Sequence, residues 1–220
     1  VDTVAPTVAI SLSDEELKSA ETATVTFQFS EAPTDFTLAD VTAANGTMGG
    51  FAVDGSDGTR YTALFTPDLS VTNDTNFISV GTDWTDAAGN APTAATDSDN
   101  YAIDTVTPTV TIASDKASLK AGATATISFQ FSEAPTGFVH EDITTTGGTL
   151  GPITVNSSDS TLYTATFTAG DITTTASITV AVNSYADAAG NQGAAGISPT
   201  ILVDTVAPTV AISLSDEELK

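Results

Sequence analysis

The side chains best equipped for chemistry in this sequence are carboxylates set among small, turn-forming residues. Asp86-Ala-Ala-Gly-Asn90 and Asp187-Ala-Ala-Gly-Asn191 each offer oxygen ligands across a glycine turn, and Glu31 and Glu133 each stand in a Phe-Ser-Glu-Ala-Pro segment. Asp2, Asp104 and Asp204 sit in a Val/Ile-Asp-Thr-Val block. Oxygen-only sets of this kind suit a hard cation such as calcium, which takes roughly six to eight oxygens in flexible geometry. Asp14, Glu15 and Asp68 are further candidates, as are Asp40 and Asp142, either of which could instead cap a local turn. The bland alternative is that all these acids are a solvated surface kept for solubility. The chain has no cysteine, so thiolate metal sites and disulfides are excluded.

Catalytic chemistry finds less support. The single histidine, His140, has no counterpart near Leu38-Ala-Asp40, and no serine sits in a Gly-x-Ser-x-Gly elbow. A carboxylate pair for glycoside hydrolysis cannot be singled out of 28 acids. Trp84 could be a sugar-stacking platform, but the corresponding place holds Tyr185 and both precede the same turn, so a packing role is expected. The chain therefore reads as a non-enzyme.

Charge narrows the partners. Five basic residues against 28 acidic ones give a net charge of -23, which repels nucleic acid and anionic lipid and favours a cation. The acids are spread among β-forming residues rather than gathered in a tail, so a folded chain is expected. No apolar run approaches the roughly 18 residues of a membrane span. The opening Val1-Asp2-Thr3 is not a signal peptide, and the sequence reads as an internal stretch.

Internal repetition gives the organisation. Val1-Asp-Thr-Val-Ala-Pro-Thr7 recurs at Ile103–Thr109 and Val203–Thr209. Between these markers Phe27–Thr34 matches Phe129–Thr136, Tyr61–Thr66 matches Tyr163–Thr168, and the two Asp-Ala-Ala-Gly-Asn blocks match each other. Residues 203–220 repeat residues 1–18 without a change. The expected division is repeat one at 1–102, repeat two at 103–202, and the opening of a third at 203–220. A period of about 100 residues suits an independently folding sandwich better than a solenoid or a propeller blade.

The elements that must carry the acids are short strands. Phe27 and Phe29, Phe129 and Phe131, and Ile178, Val180 and Val182 alternate with polar residues, so each set is expected to face a core. Asn45-Gly46, Asp57-Gly58 and Gly147-Gly148 supply turns, the Gly46–Gly58 stretch reads as a hairpin, and the only helical feature is a turn near Leu38–Asp40. For repeat two the pattern predicts strands over 109–113, 124–132, 143–146, 153–156, 162–168, 177–184 and 194–203. The fold class is all-β, as tandem immunoglobulin-like sandwiches in an extended array. Such a sandwich brings the loop after its second strand and the loop before its last strand to the pole where the chain enters. That gathers Asp104, Glu133, Asp187 and Asn191 in one repeat and Asp2, Glu31, Asp86 and Asn90 in the other. Asp14, Glu15 and Asp68 could face the central junction from the preceding repeat. At about 10 mM calcium and a dissociation constant of about 10⁻⁴ to 10⁻³ M, each site would add roughly 1.4 to 2.7 kcal/mol.

The Val-Asp-Thr-x-Ala-Pro-Thr opening, the Phe-Ser-Glu-Ala-Pro segment and Asp-Ala-Ala-Gly-Asn together resemble the bacterial immunoglobulin-like tandem repeats of very large adhesins, over essentially the whole chain. The resemblance implies an extender region of a calcium-dependent, biofilm-type adhesin, exported to the cell surface by type I secretion. It also implies monomeric spacer duty, with repeats of the same chain as neighbours, rather than ligand recognition. The alternative is a module that binds cell-surface carbohydrate or protein. Its mark would be a loop feature in one repeat only, such as Trp84 with Asp83, or His140.

Overall fold

The computed structural model describes residues 1–171 and 173–213, so the end of the expected third opening, 214–220, lies outside the described residues. The described chain is all β apart from two 3-10 turns, Leu38–Asp40 and His140–Asp142. It forms two compact units: Val1–Pro108 together with Ala186–Gly193, and Thr109–Tyr185 together with the described residues from Ala194 onward. The Asp187–Asn191 turn of the second repeat thus belongs to the first unit.

In the first unit one sheet runs in the order Val8–Leu12, Ala23–Phe29, Asp57–Pro67, Gly46–Asp54. The last two strands are the expected hairpin, closed at the Asp54 and Asp57 pair. Ala23, Val25, Phe27 and Phe29 all point inward, as strict alternation requires. The opposite layer has two three-stranded pieces. Tyr101–Asp104 lies parallel to Glu16–Lys18 and antiparallel to Thr72–Asn76, while Ile78–Val80 joins Val41–Ala43 to Thr96–Asp97. Both layers feed one core, in which Phe27, Phe65, Ile78 and Ile103 are at most 1% exposed.

The second unit repeats the plan with a more continuous second layer. There Thr174–Val180 is one strand, paired with Ile201–Val203 and Ile143–Thr146, where the first repeat has two short strands interrupted at Phe77. The difference tracks one buried pair. Asn76, 1% exposed, accepts the Asn45 amide at 2.7 Å and donates to the carbonyls of Asn73 and Tyr101. Ala176 occupies its place in the second repeat and Gly147 that of Asn45. A Cβ on Gly147 would lie 2.8 Å from that of Ala176. Asn45 and Gly147 share a left-handed turn, with φ of 58° and 74°, so the two pairs are alternative fillings of one site.

The expected strand over 177–184 stops at Val180. Asn183 takes φ of 60°, the chain turns, and Val182 is exposed rather than core. The expected strand over 194–203 is split into Gly196–Ile197 and Ile201–Val203. Between them Ser198 satisfies both polar groups of Ile178, accepting its N–H at 2.9 Å through Oγ and donating its own N–H to the Ile178 carbonyl at 2.8 Å.

Gly147→Asn alone should overpack against Ala176 and cost about 1 to 3 kcal/mol. Adding Ala176→Asn should recover part of that loss, giving a coupling of about 0.5 kcal/mol or more in a urea-denaturation double-mutant cycle. Strict additivity would contradict the pairing.

Candidate metal centre

Backbone ties bring the acidic loops of the first repeat together. Strand Ala23–Phe29 ends at Ser30, which donates its N–H to the Thr7 carbonyl at 2.9 Å and accepts the Thr7 N–H on Oγ at 3.0 Å. The Phe-Ser-Glu segment is thereby fixed to the entering chain. Past Glu31, Thr34 pairs with Thr85 in an isolated antiparallel bridge, and Thr34 Oγ1 donates to the Asp86 carbonyl at 3.3 Å. Trp84, 1% exposed, anchors that side, with its ring edge-on to Phe29 at 4.8 Å and its Nε1 donating to the Gly81 carbonyl. Tyr185 meets Phe131 in the same way at 4.9 Å in the second unit.

The turn that follows is organised by its own first and last residues. Asp86, 2% exposed, accepts the Ala88 and Asn90 N–H groups on Oδ1, both at 2.8 Å, and the Asn90 amide on Oδ2 at 2.7 Å. Gly89 supplies the required φ of 90°. The Asn90 amide also donates to the Asp2 carbonyl at 3.4 Å, drawing the linker in. As a result one carboxylate oxygen from each of Asp2, Glu31 and Asp86 lies within 4.8 Å of the other two.

The electrostatics of the three differ. The Asn90 amide, helped by the Asn90, Ala88 and Gly89 N–H groups, holds the Asp86 carboxyl below its usual range against the opposing effect of burial. Burial first, then the charges of Asp86 and Asp2, push Glu31 above its usual value. One carboxylate is stabilised by the fold, and its neighbour is penalised for being ionised.

The second repeat builds the same turn. Asp187, 1% exposed, accepts the Gly190 and Asn191 N–H groups on Oδ1 at 2.7 and 2.8 Å and the Asn191 amide on Oδ2 at 2.8 Å. That amide also donates to the Asp104 carbonyl at 2.9 Å, so Asp104, Asp187 and Asn191 are gathered within the first unit. Glu133 is half-buried in the second unit after strand Thr124–Phe131, where Ser132 ties to Thr109 as Ser30 does to Thr7. Asp104 Oδ1 accepts the Val106 N–H and Thr72 Oγ1.

Both asparagines, counted among the ligands on sequence grounds, brace the aspartates of their turns through the amide nitrogen. Asn191 commits its amide nitrogen to Asp187 and Asp104, and its amide oxygen accepts the Ser19 N–H at 2.7 Å. The other candidates are engaged locally. Asp14 caps the Glu16 N–H, Glu15 and Asp68 accept bonds from Ala102 and Thr105 through their backbone carbonyls, and Asp204 caps Val206. Asp40 and Asp142 accept the N–H groups of Thr37 and Val139, capping the two 3-10 turns. Among the described residues none of these six joins a group of three closely spaced metal-capable side chains. His140 Nε2 lies 3.2 Å from the Leu150 carbonyl. The bridging threonines and Ser19 were not singled out in the sequence, although the threonine of Phe-Ser-Glu-Ala-Pro-Thr recurs in both repeats.

A sequence model of the bacterial Ig-like domain matches residues 2–103 and again residues 104–203. No curated protein matches the chain. Among solved structures it is similar to the Escherichia coli adhesin FdeC, 17% identical with a TM-score of 0.36, over 90% of this chain and 63% of that one. It is also similar to the Yersinia pseudotuberculosis adhesin InvE, 13% identical with a TM-score of 0.35, over 91% and 59%. Yersinia pseudotuberculosis InvD is 22% identical with a TM-score of 0.31, over 94% and 60%. The chain spans about three fifths of the length of each. No helix among the described residues is long and apolar enough to cross a membrane.

The two shifted carboxyls act with opposite signs on stability. Asp86 stabilises the first unit fully above the ordinary aspartate value of 3.8 and loses that contribution as pH falls through its lower folded value. Glu31 favours the fold below 4.5 and opposes it once ionised. In excess chelator at pH 7, Glu31→Gln should therefore raise the melting temperature of the first repeat and Asp86→Asn should lower it. Melts from pH 3 to 8 should show the Glu31→Gln gain vanish at the acid end.

Proposed function

Because the chain belongs to the bacterial Ig-like domain family, present twice in tandem, we propose that it is a non-enzymatic spacer of a large bacterial surface adhesin, stiffened by calcium at the acidic poles of its repeats. The observation that carries this reading is the trio Asp2, Glu31 and Asp86, one carboxylate oxygen of each within 4.8 Å of the others on loops joined by the Thr34–Thr85 bridge. Carboxylates this close repel unless a cation neutralises them.

The donor set fits a hard cation. All three groups offer oxygen, no sulfur or imidazole joins them, and the braces on Asp86 fix its carboxylate before any ion arrives. When bound, calcium would supply charge neutralisation and a crosslink between the linker aspartate and two loops of the repeat. By sequence equivalence Asp104, Glu133 and Asp187 would hold a second ion. The linker itself is braced without metal: Thr105, 4% exposed, donates Oγ1 to the Asp68 carbonyl at 2.8 Å and exchanges bonds with Val71. The cation would add to that brace, leaving a rod that projects ligand-binding domains from an exported protein. The buried position of Trp84 supports spacer duty over a sugar platform.

Calorimetry should detect calcium binding that Asp104→Ala with Glu133→Ala diminishes by one site. Solution scattering should show a longer, stiffer particle with calcium than with chelator, and the double variant should resemble the chelated protein in part. Identical scattering in both conditions would count against the stiffening role.

A further inference from the structure

Within the first unit the Asp187–Asn191 turn rests on the loop Lys18-Ser19-Ala20-Glu21. Ser19 donates its N–H to Asn191 Oδ1 at 2.7 Å, and Lys18 lies over bare backbone, its Nζ 3.3 Å from where a Cβ on Gly190 would stand. Gly190 has φ of 92°, so glycine serves both the turn and the contact. The receiving loop is preshaped. Glu21 N–H donates to the Lys18 carbonyl at 3.2 Å, Lys18 N–H donates to Glu21 Oε2 at 3.1 Å, and Ala20 takes φ of 66°.

The same two parts recur elsewhere in the chain. Lys120-Ala121-Gly122-Ala123 makes the same turn, with Ala123 N–H on the Lys120 carbonyl at 3.0 Å and Gly122 at φ of 69°. A shallow groove beside it is lined by Lys120, Ala121, Asp204 and Thr205, as the groove beside Lys18 is lined by Asp104, Ala188 and Ala189. The other turn, Asp86–Asn90, is braced as its twin is. Among the described residues no donor meets the amide oxygen of Asn90, and no acceptor meets the N–H of Ala121.

We propose that the Asp-Ala-Ala-Gly-Asn turn is a plug, and the Leu-Lys-x-x loop its socket, for head-to-tail docking of successive repeats independently of metal. The occupant of the Lys120–Ala123 socket is the same turn from another copy of this repeat. Each repeat carries one plug and one socket on different loops, so the pairing is heterologous and open-ended, which suits a linear array. It goes beyond the calcium reading, since the Asn side chain and a backbone N–H make the contact without a cation.

Amide hydrogen exchange on the whole chain in excess chelator tests this. At low protein concentration Ser19 should exchange about tenfold more slowly than Ala121, the protection expected of one partly exposed hydrogen bond. Asn191→Ala should erase the difference while core amides such as Phe27 and Phe129 stay protected. At millimolar concentration the Ala121 amide resonance should shift, and Asn90→Ala should abolish that shift. Equal exchange at Ser19 and Ala121 in the unaltered chain would overturn the plug even if Asn191→Ala failed to fold. An Ala121 resonance unmoved by concentration would overturn docking between copies.

Discussion

Everything at the acidic pole depends on a buried aspartate that shares its charge with its own turn. Asp86 and Asp187 are nearly inaccessible, and each feeds two backbone N–H groups and an asparagine amide. A buried carboxylate is costly unless hydrogen bonds replace its water, and here they come from Ala88 and Asn90 onto Asp86 and from Gly190 and Asn191 onto Asp187. The asparagine then has one amide hydrogen left for the linker carbonyl, at Asp2 or Asp104. A single local motif therefore sets the turn, orients a charged ligand and ties down the chain that enters the domain.

Around that motif the fold supplies rigidity from aromatic packing rather than crosslinks. With no cysteine, each small core leans on a ring cluster next to the acidic turn: Phe29, Phe36, Tyr61 and Trp84 in the first unit, Phe131, Phe138, Tyr163 and Tyr185 in the second. Edge-to-face contacts of this kind restrict the rings as well as burying them. The strand that precedes Glu31 and the residue that precedes Thr85 both end in this cluster. Placement of the carboxylates is thus a consequence of core packing.

Much of this was legible in the residues. Alternation gave Phe27 with Phe29 and Phe129 with Phe131 as core, and the repeats pointed to the same three acids at one pole. The sequence could not reveal that the asparagine amide nitrogens would brace the aspartates, because that depends on which way an amide faces. Val182 was misplaced because periodicity continued past Val180 while Asn183 turned the chain. The split of the last strand had the same origin: Ser198 imitates a backbone partner with its hydroxyl, which no pattern of apolar residues records. The exchange of Asn45 and Asn76 for Gly147 and Ala176 lies hidden at two positions distant in sequence, and only contact joins them.

The most direct test of the central claim is a crystal of this chain grown in calcium and measured for anomalous scattering. The account predicts an ion bonded by the carboxylates of Asp2, Glu31 and Asp86, with oxygen distances of about 2.3 to 2.6 Å. Water alone at that position, with Glu31 turned away from Asp86, would contradict it.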